Sequence, residues 1–218
     1  MPTGPRPIRA SKARGAGSFP APDQLSVLPA LAARLAQRTL RSHGDTGRPW
    51  ASVAVVLAPE PDSILLIQRA DRDSDVWSGH LAFPGGRRGP NDPDLLTTAR
   101  RETLEEVGFD LGGAQLIGQL DDLATRGPVL PPLVVRPFVF TAPAAGSLTP
   151  NREVAAAWWV PLETFSRSGV FGPTEYRRYG TLVRSTGYHL PMGVLWGMTE
   201  RILTPLLELA QGGKTVGR

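Results

Sequence analysis

Apolar positions recur along this chain on two different periods, and the changes of period mark out its elements. Leu28, Leu31 and Leu35 form a helical stripe within residues 23–44. Pro29 falls in the first turn, where its missing N–H does least harm, and Gly44 supplies a stop. A core-packed helix is expected there. Residues 51–58 (ASVAVVLA) and 63–69 (SILLIQR) are apolar, partly β-branched runs separated by Pro59, Glu60, Pro61 and Asp62, which predicts two strands and a turn. A third strand is expected to hold His80 to Phe83, and a helix residues 92–107, with Gly108 just past its end. Residues 115–123 and 134–142 predict further strands, and 153–165 a strand running into a turn or short helix. The pattern of 166–188 assigns no element, and 194–210 predicts a closing amphipathic helix. Strands and helices alternate irregularly, so the expected class is α/β (α+β), an α/β/α sandwich on a mixed sheet, without internal repeats.

The 218 residues suffice for one core with extensions. The expected division is a flexible basic tail over 1–22, one domain over 23–210 and a short flexible tail over 211–218. No window approaches the uncharged apolar length of a membrane span. Arg6, Arg9, Lys12 and Arg14 precede no apolar core of a secretory signal, which predicts a cytoplasmic protein. Of the 24 basic residues only Lys12 and Lys214 are lysine, and net charge is +4. Arginine's planar fork suits phosphate, but a biased genomic composition produces the same excess. No dense basic block with interleaved aromatics is present, so nucleic acid is not the expected main partner. Cysteine is absent, excluding disulfides, thiolate nucleophiles and thiolate zinc sites.

The chemistry gathers in GHLAFPGGRRGPNDPDLLTTARRETLEEVGFD, residues 79–110. On a helix turning about 100° per residue, Glu102, Glu105 and Glu106 share one face, expected to be exposed, with Leu96, Thr103, Leu104 and Val107 opposite. Arg101 can answer Glu105 at i,i+4, but the remaining acids lack basic partners one turn away. Two readings stand: an acidic solvated face, or carboxylates awaiting a hard cation, Mg²⁺ first and Mn²⁺ second. Gly85 and Gly86, stiffened by Pro84, permit a close backbone approach and can turn a carbonyl to the same ion.

This stretch resembles the Nudix box, G-x5-E-x7-R-E-U-x-E-E-x-G-U with U aliphatic, through Gly86, Arg101, Glu102, Glu105, Glu106, Gly108 and Phe109. Asp92 replaces the first glutamate, the spacer to Arg101 is eight residues, and Thr103 replaces an aliphatic residue. With LLIQRA (65–70) and GHLAFPGG (79–86) upstream, the chain resembles the coenzyme A diphosphatase branch of Nudix hydrolases, over about residues 51–207. Ser74 stands where that branch carries a second arginine, which Arg72 could replace from another register.

The resemblance implies a hydrolase that cleaves the diphosphate of coenzyme A or its thioesters. The alternatives are a pyrophosphatase for another nucleoside diphosphate derivative or a nucleoside triphosphate, and a Nudix-fold binding protein that does not catalyse. It implies Glu102, Glu105 and Glu106 as ligands of Mg²⁺ or Mn²⁺, with a carbonyl from the Gly86 region, and Arg101 as the group that orients Glu105. Arg69, Arg72, Arg87, Phe83 and Gly85 are the implied substrate contacts, with Arg88 a lesser one. Asp92 is expected to cap or orient the helix start, and Glu153 is either a further ligand or base, or an ordinary exposed acid. His80 is expected to be packed rather than to act as a base, and Trp77, Trp158 and Trp159 to be core aromatics rather than base-stacking surfaces. GGKT at 212–215 resembles a phosphate loop, but Glu208 occupies its first glycine position, so it is set aside. The partner is a small diphosphate, with no membrane and with a homodimer left open.

Overall fold

The computed structural model describes residues 26–44, 47–71, 78–125, 130–178 and 181–213. Strands β1 (Trp50–Ala58) and β2 (Ser63–Arg69) pair antiparallel around the expected turn. Two short strands follow, β3 (Leu81–Ala82) on β2 and β4 (Gly85–Arg87) on β1. Helix α2 (Leu95–Val107) then leads through a 3-10 turn (Leu111–Gly113) to β5 (Gln115–Gln119), β6 (Leu123–Ala124) and β7 (Val134–Thr141). β7 runs parallel to β1 in unbroken register from Trp50↔Val134 to Leu57↔Thr141, and β8 (Val154–Pro161) covers the outer side of β2. The sheet is therefore mixed, in the order β3-β2-β1-β7-β5.

Side-chain alternation along β1 builds both cores. Ala54, Val56 and Ala58 face one way and meet Ala99 and Val107 of α2. Val55 and Leu57 face the other way and meet Leu31 and Leu35 of α1 (Leu28–Ala36) with Leu203, Leu206 and Leu207 of α3 (Met198–Ala210). One helix thus covers one face and two cover the other, which is the α/β/α sandwich expected.

Several boundaries differ from expectation: the strand expected over 80–83 is only β3, and the one expected over 115–123 is split into β5 and β6. Helix α1 stops at Ala36 instead of reaching Gly44, because Asp121 and Asp122 pin the following segment: Arg41 N–H donates to Asp121 Oδ1 at 3.1 Å and His43 N–H to Asp122 Oδ2 at 2.9 Å. Helix α2 begins at Leu95 instead of 92, since Asp94 is its cap, accepting from Thr97 N–H at 2.7 Å. Residues 194–196 are not helical: β11 (Gly193–Trp196) pairs with β10 (Thr181–Leu190), and Gly197 at φ 70° breaks the chain before α3. The strand expected to run into a turn or short helix over 153–165 is β8 followed by a 3-10 turn (Leu162–Ser166), and the unassigned region forms β9 (Phe171–Arg178), which with β10 and β11 makes a second sheet.

Candidate active site

Pairing of β4 with β1 lays the glycine pair beneath α2. Gly85 has φ 157°, and a Cβ there would strike the backbone of Ser52 and Val53, so only glycine fits so close to β1. A Cβ on Gly86 would strike the carboxylate of Glu102. The absence of two side chains is what lets the helix acids reach the loop backbone.

The three glutamates do not share one exposed face. Glu106 is 3% exposed and accepts a hydrogen bond from Gly85 N–H at 2.9 Å. Glu102 is half-buried against Gly86, and only Glu105 stands largely in solvent. The expected inner side is also revised, since Leu104 is 50% exposed while Thr103 is fully buried. Thr103 tolerates that burial because its Oγ1 donates to Ala99 O at 2.7 Å. Burial pushes the Glu106 carboxyl up to about 7 against the lowering effect of the Gly85 N–H, and Glu102 and Glu153 push it the same way. Glu102 is likewise raised, by burial first, although Arg101 opposes the shift.

Arg101 organises the exposed side of the group. Its Nη1 lies 2.9 Å from Glu102 Oε1 and 3.0 Å from Glu105 Oε2. Its Nε and Nη2 hold Asp92 Oδ1 and Oδ2 at 3.0 and 2.8 Å, a bidentate pair. Asp92 also accepts from Gly89 N–H at 2.8 Å and Thr98 Oγ1 at 2.9 Å. Arg101, first among these donors, holds its carboxyl well below the usual range. Asp92 therefore anchors the arginine and does not cap the helix.

The remaining expected residues divide. Arg69 ends β2 and exerts a lowering field on Glu106; its N–H donates to His80 O at 3.0 Å, beside Ala70 N–H on Glu153 O at 2.8 Å. Glu153 thus belongs with the acids, an association the strand pattern alone could not supply. Arg87 is exposed at the rim, but Arg88 is engaged with Asp92 O at 3.1 Å and Pro93 O at 2.6 Å. Phe83 is corrected from a substrate contact to a core residue: it is 3% exposed and packs in the cluster on the α1–α3 face, away from α2. His80 packs edge-on against Trp196 at 4.5 Å, and Trp159 packs on Phe109 while donating to Gly146 O at 2.8 Å. Arg72, Ser74, Trp77, Lys214 and Thr215 lie outside the described residues.

The donors offered here are all carboxylate and carbonyl oxygens, which suit a hard divalent ion. Crowding of Glu102, Glu106 and Glu153 leaves negative charge that such an ion would offset. Among the described residues no three acidic or imidazole groups already converge as a ligand set, so the fit is one of donor chemistry alone.

A model of the NUDIX domain matches residues 48–178. An uncharacterised Nudix hydrolase, NudL, of Photorhabdus laumondii is 32% identical over 162 residues, covering 74% of this chain and 84% of that protein. An uncharacterised protein of Schizosaccharomyces pombe is 46% identical over 104 residues, or 45% of this chain, and the match spans only 32% of that protein's length. A solved MutT/nudix family protein from Enterococcus faecalis is 17% identical, covering 86% of this chain and 69% of that one, with a TM-score of 0.48. The matched residues 48–178 run from β1 through β9 and include the glycine loop and the acidic helix. The chain belongs to the Nudix hydrolase family.

Proposed function

We propose that the protein is a metal-dependent diphosphatase that hydrolyses coenzyme A or its thioesters to 3',5'-ADP and 4'-phosphopantetheine or its acyl form. The observation that carries the reading is the closure of α2 on the glycine loop, with Glu106 on Gly85 N–H at 2.9 Å and Glu102 against Gly86. Mg²⁺ or Mn²⁺, which Glu102, Glu105, Glu106 and a carbonyl of the Gly86 region would hold, would supply charge neutralisation at the diphosphate and acidify an attacking water. The chain's own groups hold the carboxylates ready. Gly85 N–H fixes Glu106, and Arg101, itself clamped by Asp92, fixes Glu102 and Glu105. Arg69 at the end of β2 and Arg87 at the rim are cations for the phosphates. The clamp gives a purpose to Asp92 and the longer spacer, the departures that resemble the coenzyme A branch. Ser74 favours the second reading, another nucleoside diphosphate derivative such as ADP-ribose or a dinucleotide.

Purified protein assayed with Mg²⁺ or Mn²⁺ on coenzyme A, an acyl-coenzyme A, ADP-ribose and a nucleoside triphosphate tests this. Highest kcat/KM is expected on coenzyme A or its thioester, with 3',5'-ADP as product. Turnover of ADP-ribose or the triphosphate far above coenzyme A would overturn the substrate assignment.

A further inference from the structure

Strand β1 reads WASVAVVLA, and Ser52 is the hydroxyl in an otherwise apolar run. Its side chain is 0% exposed, and among the described residues its Oγ has no hydrogen-bond partner. An unpaired buried hydroxyl is unfavourable, and a native chain that keeps one needs a reason.

The register supplies a location. Ser52 pairs with Gly86 of β4 on one side and with Arg136 of β7 on the other. Cross-strand partners in register share a face, with Cβ positions about 4.5–5.5 Å apart. That face is the α2 face, since Ala54 and Val56, two and four residues on, pack with Ala99 and Val107. The Cβ position that Gly86 leaves vacant is where the Glu102 carboxylate sits. The hydroxyl therefore shares a face with that carboxylate and makes no direct hydrogen bond to it. Arg136 does not use it, being turned to Asp122, with Nε on Oδ1 and Nη2 on Oδ2 both at 2.8 Å, and lying over the Trp50 ring.

We infer that Ser52 is a positioning residue for Glu102, its hydroxyl donating through one water to the carboxylate oxygen that Arg101 leaves open. Glu102 Oε1 is held by Arg101 Nη1 at 2.9 Å, so a donor from below fixes the carboxylate from a second side and sets the lone pairs presented to a divalent cation. This rests on the proposed metal-dependent function.

Ser52→Ala separates a positioning role from a structural one. The hydroxyl bonds no other protein group, so its removal leaves the fold's own hydrogen bonds intact and shifts the melting temperature of metal-free protein by no more than about 2 °C. Mn²⁺ binding without substrate, read from the electron paramagnetic resonance of the free ion, weakens about tenfold. Ser52→Thr keeps the hydroxyl, so its Mn²⁺ affinity stays within about twofold of the parent even if the added methyl lowers the melting temperature. Unchanged Mn²⁺ affinity in Ser52→Ala overturns the inference, whatever the melting temperature does. Failure of the parent protein to bind Mn²⁺ overturns the proposed function instead, so the two failures are distinguishable.

Discussion

Gly86 and Glu102 compete for one volume, and the site exists because the glycine yields it. Gly86→Ala puts a methyl where the Glu102 carboxylate lies, so the glutamate must move. Activity is expected to fall about 10–100-fold, while circular dichroism and the melting temperature of the metal-free protein change little, because Gly86 is not in the left-handed region. A variant of parental activity would show that the close approach is unimportant. Glu106→Gln removes the buried carboxylate and keeps a carbonyl for Gly85 N–H. Because burial disfavours the ionised acid, metal-free protein should be no less stable at pH 8. The rate at saturating metal should drop about 100-fold or more. An unchanged rate would remove Glu106 from the metal site. The acids themselves were legible from their spacing on α2, but their unequal burial was not, since it depends on β4 lying under the helix, a contact between residues 21 positions apart.

At the level of elements, α2 is held to its loop by Asp92 as well as by its apolar side. The carboxylate is 6% exposed and takes four donors from Gly89, Thr98 and Arg101. Its folded-state pKa lies well below its unfolded value of 3.8, with the Arg101 pair the first cause. A depressed acid contributes stability that is complete above the unfolded value and is lost as pH falls through the folded one. Asp92→Asn should therefore cost about 2 kcal/mol at pH 7, Arg101 being partly solvated. The gap between parent and variant should narrow below about pH 4 in melting curves taken from pH 7 to 3. A gap independent of pH would rule out the ion pair as its source. Element type was legible wherever local pattern and pairing agree: residues 63–69 form β2 with the expected bounds. It failed where distant groups decide. Helix α1 is cut short by Asp121 and Asp122, some eighty residues on, and residues 194–196 join β10 because Gly197 interrupts a run of helix-compatible residues. The hairpin of β9 and β10 carries no clean alternation of period two, so pairing rather than pattern defines it.

For the molecule as a whole, the family match and the folding unit have different bounds. Residues 48–178 contain the glycine loop and α2, yet exclude α1, α3, β10 and β11. Those excluded elements cover the face of β1 and β2 that carries Val55, Leu57, Ile64 and Leu66, each 0% exposed. Leu31 and Leu203 are themselves fully buried, and Arg34 ties α1 to the end of α3 by donating to Leu209 O and Ala210 O at 2.8 and 2.9 Å. The helices are therefore part of the core and not an appendage to it. A fragment of residues 48–178 would leave that apolar face in water, at about 25 cal/mol for each Å². It should bind an apolar dye and lose cooperative melting, whereas the full chain melts in one transition. Leu203→Ala grades the same effect: a loss of about 2–5 kcal/mol is expected. Because the residue lies across the sheet from α2, kcat of the remaining folded protein should hold at temperatures well below the melting point. A fragment that melts as cooperatively as the full chain, or a Leu203→Ala variant that loses kcat without losing stability, would contradict two cores that melt as one unit across the sheet.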